Sequence, residues 1–271
     1  MAKGCVFILS VSSDIGHALA LKFLSDGYGV VGTFRDRQSI IDLTGKPGLK
    51  LIRCDVSSRG SIGLMIDAYK TFCQPWDTFI SCVGTLEPIG PFLSHDFYSW
   101  EKSLTVNSIA QLGVLHGIYP YRRQGHVLNV VFFAGGGSNS PFKNYSAYAA
   151  SKVLLIKMCE LLDDEYEDLN PFIIGPGFRK TKIHRQTFNN PVGAEKNLNR
   201  TYGLFELDQS DSSFDDIYCF IQWAVMQGKK VVGGRNFSVV HDRWWQDARL
   251  VELLKGDKNK FKLRRFRNEE E

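Results

Sequence analysis

The 271-residue sequence lacks the features that mark several large classes of protein. No run approaches the roughly 20 apolar residues that a membrane-spanning helix needs, and internal repeats and low-complexity linkers are absent. The charge is nearly balanced, with 33 Lys and Arg residues against 29 Asp and Glu residues, so composition alone does not indicate a nucleic-acid partner. With 44% hydrophobic and 23% charged residues, the chain is typical of a globular protein rather than a disordered, collagenous or coiled-coil one.

Cysteine and histidine patterns are also missing. The six cysteines are scattered without a C-x-x-C pair, and the histidines have no zinc-site spacing. We therefore expect neither a disulfide framework nor a metal site, and reduced thiols are typical of a cytoplasmic protein. The apolar run at residues 4–11 is short for a signal peptide and has no small-residue cleavage site, so a buried first strand is the better interpretation.

Short apolar runs alternate with amphipathic stretches along the chain. Strands are predicted over residues 5–9, 30–34, 49–54, 76–82, 127–133 and 172–175, with a last one beginning at 231–232. Helices are predicted over residues 15–24, 62–72, 106–119, 147–162 and 214–226. Strands that are apolar on both faces and alternate with helices indicate a parallel sheet covered on both sides, which predicts an α/β, doubly wound fold. We expect one domain, residues 1–254, and a basic tail, residues 255–271, with seven Lys and Arg residues against four acidic ones.

A serine-rich loop follows the first predicted strand and leads directly into the first predicted helix. A helix N-terminus offers free N–H groups and a partial positive charge that attract phosphate. Only Gly16 represents the three glycines of the usual dinucleotide fingerprint, so a simple helix cap is an equally good interpretation of this loop alone. Its candidate cofactor-binding residues are Ser10, Ser12, Ser13, Asp14 and Ile15.

Charged residues follow the second and third predicted strands. Arg35 stands where an acidic residue would hold the ribose hydroxyls of NAD and an arginine accommodates the 2′-phosphate of NADP. Arg35 therefore favours NADP over NAD, unless it is a solvated loop charge. Asp55 and Val56 follow the third predicted strand, where the carboxylate of Asp55 could contact the amino group of an adenine. The alternative is that Asp55 is an ordinary exposed loop residue.

The segment most indicative of chemistry is Ser-Ala-Tyr-Ala-Ala-Ser-Lys, residues 146–152. Tyr148 and Lys152 stand four residues apart and so share one face of a predicted helix. A lysine ammonium beside a phenol lowers the tyrosine pKa from about 10 toward neutral pH, which predicts Tyr148 as a general acid/base. A Tyr-x-x-x-Lys spacing is common by chance, but these flanking residues are much rarer.

With these motifs in this order, the sequence resembles the short-chain dehydrogenase/reductase family over nearly its whole length. The matching residues are 10–16 (glycine-rich loop), Asp55 and Val56 (adenine), Gly84 (end of Asn-Asn-Ala-Gly), Asn107 (proton relay), Tyr148 and Lys152 (catalytic pair), and Pro176, Gly177 and Thr181 (nicotinamide side). The resemblance implies a Rossmann-type sheet, a nicotinamide cofactor and no required metal.

Three departures separate the sequence from the family pattern. Ser10 and Asp14 stand where the family prefers glycine, and Asp14 either caps the helix or weakens diphosphate binding by its charge. Residues 81–83 replace the rest of Asn-Asn-Ala-Gly. The expected catalytic serine, 13 or 14 residues before the tyrosine, corresponds to Gly135 or Ala134, and we take Ala134 as its position. Losing such a hydrogen-bond donor typically costs on the order of a hundred- to a thousandfold in rate.

Two functions remain open. The resemblance implies an NADP-dependent oxidoreductase in which Tyr148 protonates the substrate oxygen, Lys152 lowers the tyrosine pKa and holds the nicotinamide ribose, and Asn107 anchors a relay water. Three glycines allow an unusual loop path, so that a nearby donor could replace the serine. The candidates are Ser138, Asn139 and Ser140. The alternative is a catalytically impaired cofactor-binding protein, a sensor or subunit, which the altered loop and the missing serine favour.

Substrate and partners are predicted from residues outside these motifs. The family's substrate loop corresponds to residues 178–209, whose excess of basic residues suits an anionic small molecule such as a nucleotide sugar, unless the loop is merely solvated and mobile. Residues 233–242, with Trp244 and Trp245, resemble family members of surface-polysaccharide sugar metabolism. The resemblance also implies a homodimer or homotetramer formed through helices 107–119 and 147–162. We expect neither nucleic acid nor a membrane as a partner.

Overall fold

Parallel strands form one sheet at the centre of the protein. The computed structural model describes residues 3–72, 74–207 and 209–265. Within these ranges the sheet has seven strands in the order β3-β2-β1-β4-β5-β6-β7, and every pairing is parallel. The strands are β1 (Cys5–Leu9), β2 (Gly29–Phe34), β3 (Leu49–Arg53), β4 (Thr78–Ser81), β5 (Leu128–Phe133), β6 (Leu169–Gly175) and β7 (Asn236–Ser238). The predicted doubly wound, Rossmann-type fold in a single domain is confirmed.

Helices connect the strands and cover the sheet. They are α1 (Asp14–Ser25), α2 (Arg59–Thr71), α3 (Phe97–Leu104), α4 (Ala110–Ile118), α5 (Ser146–Glu165), α6 (Arg185–Asn189), α7 (Pro191–Ala194), α8 (Lys196–Glu206), α9 (Phe214–Gln227), α10 (Lys229–Val232) and α11 (Asp247–Gly256). Alternate residues of a strand point to opposite faces of a sheet. Accordingly, Val6 and Ile8 of β1 belong to one hydrophobic cluster, and Phe7 and Leu9 belong to another. Both faces of the sheet are therefore buried.

The strand order places a crevice beside β1. This strand pairs with β2 on one side and with β4 on the other, so the chain winds away from β1 in both directions. In open α/β sheets, ligands bind outside the carboxyl ends of the strands at this reversal. The loops that follow β1, β2, β4, β5 and β6 meet there.

Two segments differ from the sequence prediction. Residues 231–232, predicted to begin the last strand, form the end of the helical turn α10, because the N–H groups of Val231 and Val232 both bond to the carbonyl oxygen of Gly228. The last strand is β7 instead. The helix predicted over residues 106–119 begins with one π-helical turn, Thr105–Ile109, and continues as α4.

The described C-terminal residues pack on the body of the protein. Helix α11 spans residue 254, the predicted domain boundary. The buried Arg235 guanidinium donates to the carbonyl oxygens of residues 254, 257 and 260, and so holds the chain that follows α11. Residues 266–271 of the predicted tail lie outside the described residues. In the described part of the chain, no helix is long and apolar enough to cross a membrane.

Candidate active site

A cavity of about 1680 Å³ opens at the carboxyl edge of the sheet. Small-molecule sites typically measure about 300–1,000 Å³, so this cavity has room for a dinucleotide and a substrate together. All predicted cofactor-binding residues line it: Ser10, Ser12, Ser13, Asp14, Ile15, Arg35, Asp55, Val56, Gly84, Tyr148, Lys152, Pro176, Gly177 and Thr181. Asn107, the remaining predicted site residue, is fully buried behind them.

The loop between β1 and α1 is held by its serines. Ser10 has a φ of +73°, the left-handed region in which a residue other than glycine costs roughly 1–2 kcal/mol. This conformation explains why the family prefers glycine there. Ser13 caps α1, because its hydroxyl accepts from the N–H of Gly16 at 3.1 Å and donates to the carbonyl oxygen of Ser10 at 2.8 Å. A Cβ added at Gly16 would lie 2.9 Å from Ser13 Oγ and closer still to Ser10, so only glycine fits this turn.

Asp14 makes a contact that the sequence did not predict. The cap comes from Ser13, so Asp14 is not the capping residue. Instead, its Oδ2 accepts a hydrogen bond at 2.6 Å from the backbone N–H of Lys182, in the loop that follows β6. The carboxylate therefore connects two walls of the cavity.

Two cations lie near Asp55 at the end of the cavity formed by β2 and β3. Burial acts to raise the pKa of Asp55, but hydrogen bonds from Ser57 and the charges of Arg35 and Lys102 lower it below its usual range. Asp55 is thus ionised at neutral pH. Lys102 of α3, which also lines the cavity, was not singled out from the sequence.

Tyr148 and Lys152 lie one helical turn apart near the start of α5. The ammonium of Lys152 lies 5.5 Å from the centre of the Tyr148 ring, and Lys152 is only 2% exposed. Burial lowers the pKa of Lys152 to about 8 and raises the pKa of Tyr148 to about 12. Burial of the phenol therefore acts against the predicted lowering of the tyrosine pKa.

Of the two residues at the spacing expected for the catalytic serine, Gly135 lies beside Tyr148. Ala134, the predicted position, is 6% exposed and packs in a hydrophobic cluster of the sheet, and both residues line the cavity. A Cβ added at Gly135 would lie 2.5 Å from Tyr148 Cζ and 2.6 Å from Cε1, and closer still to the hydroxyl. The phenol thus occupies the space that a serine side chain would need.

The proposed replacement donors follow Gly135 in the loop. Ser138, Asn139 and Ser140 all line the cavity. The hydroxyl of Ser138 donates to the carbonyl oxygen of Gly135 at 2.8 Å, so its proton stabilises the loop's own turn. In this conformation Ser138 does not offer that proton to a substrate.

Asn107 holds a loop rather than facing the cavity. Its Oδ1 accepts from the N–H of Thr85 at 2.8 Å, and its Nδ2 donates to the carbonyl oxygen of Thr85 at 2.8 Å. Its own carbonyl oxygen, in the π-helical turn, accepts from Gln111 Nε2 at 2.6 Å. Asn107 therefore fixes the backbone at Thr85, which lines the cavity after β4.

The predicted substrate loop folds as α6, α7 and α8 and docks on the site. Gln186 Oε1 accepts from the N–H of Leu86 at 2.7 Å. Burial lowers the pKa of His184 to about 4, so this residue is neutral at pH 7 and packs against Phe178.

Several basic side chains of this loop bind within the protein. Arg179 donates to the carbonyl oxygen of Ser212 at 2.6 Å, and Lys180 donates to that of Phe205 at 3.0 Å. Arg200 lies 3.5 Å from Asp211. The side chains of Arg179 and Lys180 are therefore held by backbone carbonyl oxygens, and of these three cations only Arg200 has a carboxylate partner.

Gln186 and Lys182 contact the site from positions that no local spacing marks. Gln186 bonds to a residue 100 positions earlier, and Lys182 to one 168 positions earlier. Sequence reasoning identified the loop that contains them but not these contacts.

Comparison with known proteins agrees with this geometry. The sequence model of the short chain dehydrogenase family matches residues 4–191. The short chain dehydrogenase pigC of Monascus ruber is 25% identical over 271 residues, covering 95% of this chain and 86% of that protein. The NADP-dependent 3-hydroxy acid dehydrogenase YdfG of Shigella flexneri is 21% identical over 220 residues, covering 76% and 86%. A crystal structure of a short chain dehydrogenase/reductase from Saccharomyces cerevisiae superposes with a TM-score of 0.79 at 21% identity, covering 90% of this chain and 98% of that one.

Proposed function

Because the chain belongs to the short-chain dehydrogenase/reductase family, we propose that it is an NADP-dependent oxidoreductase acting on a carbonyl or hydroxyl group of a small molecule. The observation that carries the proposal is that Tyr148 and Lys152 line the same cavity as the N-terminus of α1 and Arg35. An acid/base pair and a site for a phosphorylated dinucleotide thus adjoin each other. The NADP-dependent relative YdfG supports the choice of NADP over NAD.

The residues present fit a nicotinamide dinucleotide. The tight turn at Gly16 leads directly into α1, whose first residues line the cavity, so that the free N–H groups of the helix N-terminus can hold a diphosphate. The N-terminus of α1 would hold the diphosphate, Arg35 the 2′-phosphate and Asp55 the adenine, with Pro176, Gly177 and Thr181 beside the nicotinamide. When bound, the cofactor supplies the hydride chemistry.

The charge states of the pair favour carbonyl reduction. With a pKa of about 12, the phenol of Tyr148 is protonated at neutral pH and can donate to a carbonyl oxygen as negative charge develops there. Lys152, with a pKa of about 8, is mostly charged at pH 7 and stabilises the phenolate that proton transfer leaves. Asn107 acts through Thr85, which it positions at the cavity wall.

The surroundings of Tyr148 suit a neutral carbonyl substrate. Tyr148 belongs to a hydrophobic cluster that also contains Leu86, Phe142, Tyr145 and Ile183. The basic residues of the substrate loop keep an anionic substrate as the alternative. Trp244 packs against Phe220 in the core at a ring separation of 5.7 Å, which weakens the case for a sugar stacked on the tryptophan pair.

The second candidate is a cofactor-binding protein with impaired catalysis. The observation that favours it is Gly135, which offers no hydroxyl at the position of the family's serine. A cytoplasmic location and a homodimer or homotetramer complete the proposal; they rest on the scattered cysteines and on the family relation.

Cofactor titration followed by turnover assays tests the proposal. NADPH and NADH are titrated by fluorescence, and the wild type is assayed on a panel of neutral ketones, sugars and nucleotide sugars. We expect tight NADPH binding and NADPH oxidation with a ketone. Tyr148→Phe should lower kcat about a hundredfold or more while retaining NADPH affinity. The matched control is Tyr145→Phe, since that hydroxyl lies 3.4 Å from Thr187 instead.

Each alternative gives a different result in these assays. NADPH binding without turnover on any substrate would favour the impaired protein. Failure to bind either cofactor would contradict both functions. Stronger binding of NADH than of NADPH would contradict the role of Arg35.

A further inference from the structure

Lys182 of the substrate loop contacts the phosphate-binding loop at two points. Its backbone N–H donates to Asp14 Oδ2 at 2.6 Å, and its ammonium donates to the carbonyl oxygen of Ser12. All three residues line the cavity. Since Ser12 and Asp14 lie 170 and 168 residues away in sequence, the contacts join two separate walls of the site.

The negative charge of Asp14 indicates a function for this contact. Asp14 is the first residue of α1, where an anion would meet the positive end of the helix. A carboxylate at that point opposes a bound diphosphate by Coulomb repulsion. Ser13 already caps the helix, so capping does not explain the carboxylate. The ammonium of Lys182 brings a compensating positive charge to the same loop.

The contact also governs access to the cavity. Thr181 and Ile183, on either side of Lys182, both line it. Ile183 Cδ1 lies 3.2 Å from where a Cβ on Gly84 would stand, on the opposite wall. The loop cannot move away at Lys182 without uncovering the cavity on both sides of that residue.

We propose that Asp14 and Lys182 form a clasp that closes the substrate loop over the bound dinucleotide and slows its release. This inference rests on the cofactor binding proposed above. It assigns to the cofactor site a lysine that the sequence placed only among the basic residues of the substrate loop. It also makes Asp14 a residue that retains the cofactor rather than one that merely repels it.

Two substitutions break the clasp, one weakens it and one leaves it intact. Asp14→Ala removes the acceptor, and Lys182→Pro removes both the N–H and the ammonium. Proline suits position 182, which begins the one-turn helix Lys182–His184 after an extended Thr181 (φ −143°, ψ 158°). Asp14→Asn keeps an oxygen acceptor but removes the charge. Lys180→Met removes a lysine of the same loop that donates to Phe205 instead.

The first experiment measures the rate of NADPH release. Release is monitored by stopped-flow fluorescence after excess NADP is added to the NADPH complex. Asp14→Ala and Lys182→Pro should each release NADPH about tenfold faster than the wild type, the effect of losing one charge-assisted hydrogen bond at an exposed site. Asp14→Asn, which keeps the acceptor but not the charge, should release NADPH at a rate between those of the wild type and Asp14→Ala, and Lys180→Met should stay within about twofold of the wild type. The double variant of Asp14→Ala and Lys182→Pro should be no faster than Lys182→Pro alone, because that substitution already removes the N–H that Asp14 binds.

A second measurement needs no cofactor. Chymotrypsin sites in the loop, Phe188, Tyr202 and Phe205, pack against one another through their rings. Cleavage there in the cofactor-free protein, monitored by mass spectrometry, should be several-fold faster in the two clasp-breaking variants than in the wild type. Equal cleavage in all variants would show that the contact does not hold the loop, and would overturn the clasp.

Three outcomes of the release experiment separate the possibilities. Slower release in both Asp14→Ala and Asp14→Asn would mean that Asp14 only repels the diphosphate, which overturns the clasp. Equal release rates in all variants of a protein that binds NADPH would also overturn the clasp while leaving the proposed function intact. Failure of the wild type to bind NADPH would overturn the proposed function, and the cofactor role of the clasp with it.

Discussion

Replacing Gly135 by serine would place a hydroxyl beside Tyr148, at one of the two positions that the family's spacing gives for the catalytic serine. If Gly135 were simply a lost donor, Gly135→Ser should raise turnover by on the order of a hundred- to a thousandfold. The structure predicts the opposite. A Cβ at residue 135 would lie 2.5 Å from Tyr148 Cζ and 2.6 Å from Cε1, and carbon atoms in contact normally stay about 3.5–4.0 Å apart.

The size of the effect follows from the distance that Tyr148 must move. To reach ordinary contact, the ring has to withdraw by about 1 Å or more from its present position, and a misplacement of about 1 Å can cost roughly a hundredfold in rate. Overpacking at such a site typically destabilises the fold by only about 1–3 kcal/mol, because Tyr148 is half-buried and can rotate into the cavity. We therefore expect a large loss of turnover with a small loss of stability.

Steady-state kinetics on three variants separates the steric effect from the hydroxyl. Gly135→Ala adds the Cβ alone, Gly135→Ser adds both groups, and Ala134→Ser adds a hydroxyl at the neighbouring core-facing position. We expect Gly135→Ala and Gly135→Ser to lose kcat to a similar extent, about a hundredfold, with NADPH affinity retained. A Gly135→Ser enzyme at least tenfold faster than the wild type, beside an inactive Gly135→Ala, would refute this reasoning.

Three further predictions concern charge, cofactor choice and the substrate loop. Lys152→Met should abolish turnover yet raise the free energy of unfolding by about 3 kcal/mol at pH 7, because a pKa of about 8 instead of 10.5 measures the cost of burying the charged amine. Between about pH 8 and 10.5 the Lys152 amine is protonated in the unfolded chain but not in the folded one, so the stability advantage of Lys152→Met over the wild type should shrink as the pH rises through that window, as urea denaturation of the two proteins side by side will show. Arg35→Ala should weaken NADPH binding by about ten- to a hundredfold and NADH binding by less than about threefold, measured by fluorescence titration. Gln186→Leu should lower the unfolding free energy by about 1–3 kcal/mol, measured by urea denaturation, because the buried N–H of Leu86 loses its acceptor.

The sheet was predictable because its signals are local. All five residues of Cys5–Leu9 are apolar, and adjacent residues of a strand point to opposite faces, so this strand has to be buried on both faces. The structure buries all five residues. The pair Val231–Val232 has the same β-branched character but lies between Gly228 and Gly233, and backbone bonds to Gly228 turn it into a helix. Two residues are too few for composition to outweigh the hydrogen bonds of the surrounding turn.

Some features of the candidate site were likewise predictable from the sequence, and others were not. Tyr148 and Lys152 share a helix face at a fixed spacing, so the sequence predicts their juxtaposition. Their pKa values could not be predicted, because they depend on burial by elements far away in sequence. The position of the serine was likewise ambiguous between residues 134 and 135, since both line the cavity and only the way β5 ends places residue 135 beside Tyr148.

Two departures from the family pattern have partners elsewhere in the chain, and this bears on whether the protein has lost catalysis. Asp14 is paired with Lys182, and the missing side chain at Gly135 is matched by the position of the Tyr148 phenol. Decay after loss of function would leave such departures uncompensated, with an unpaired carboxylate in the phosphate loop and a void beside the tyrosine. Because each departure is compensated, reverting Asp14 or Gly135 alone to the family residue should impair cofactor retention or turnover rather than improve it. We infer that these residues adapt an active site, which favours the oxidoreductase over the impaired cofactor-binding protein.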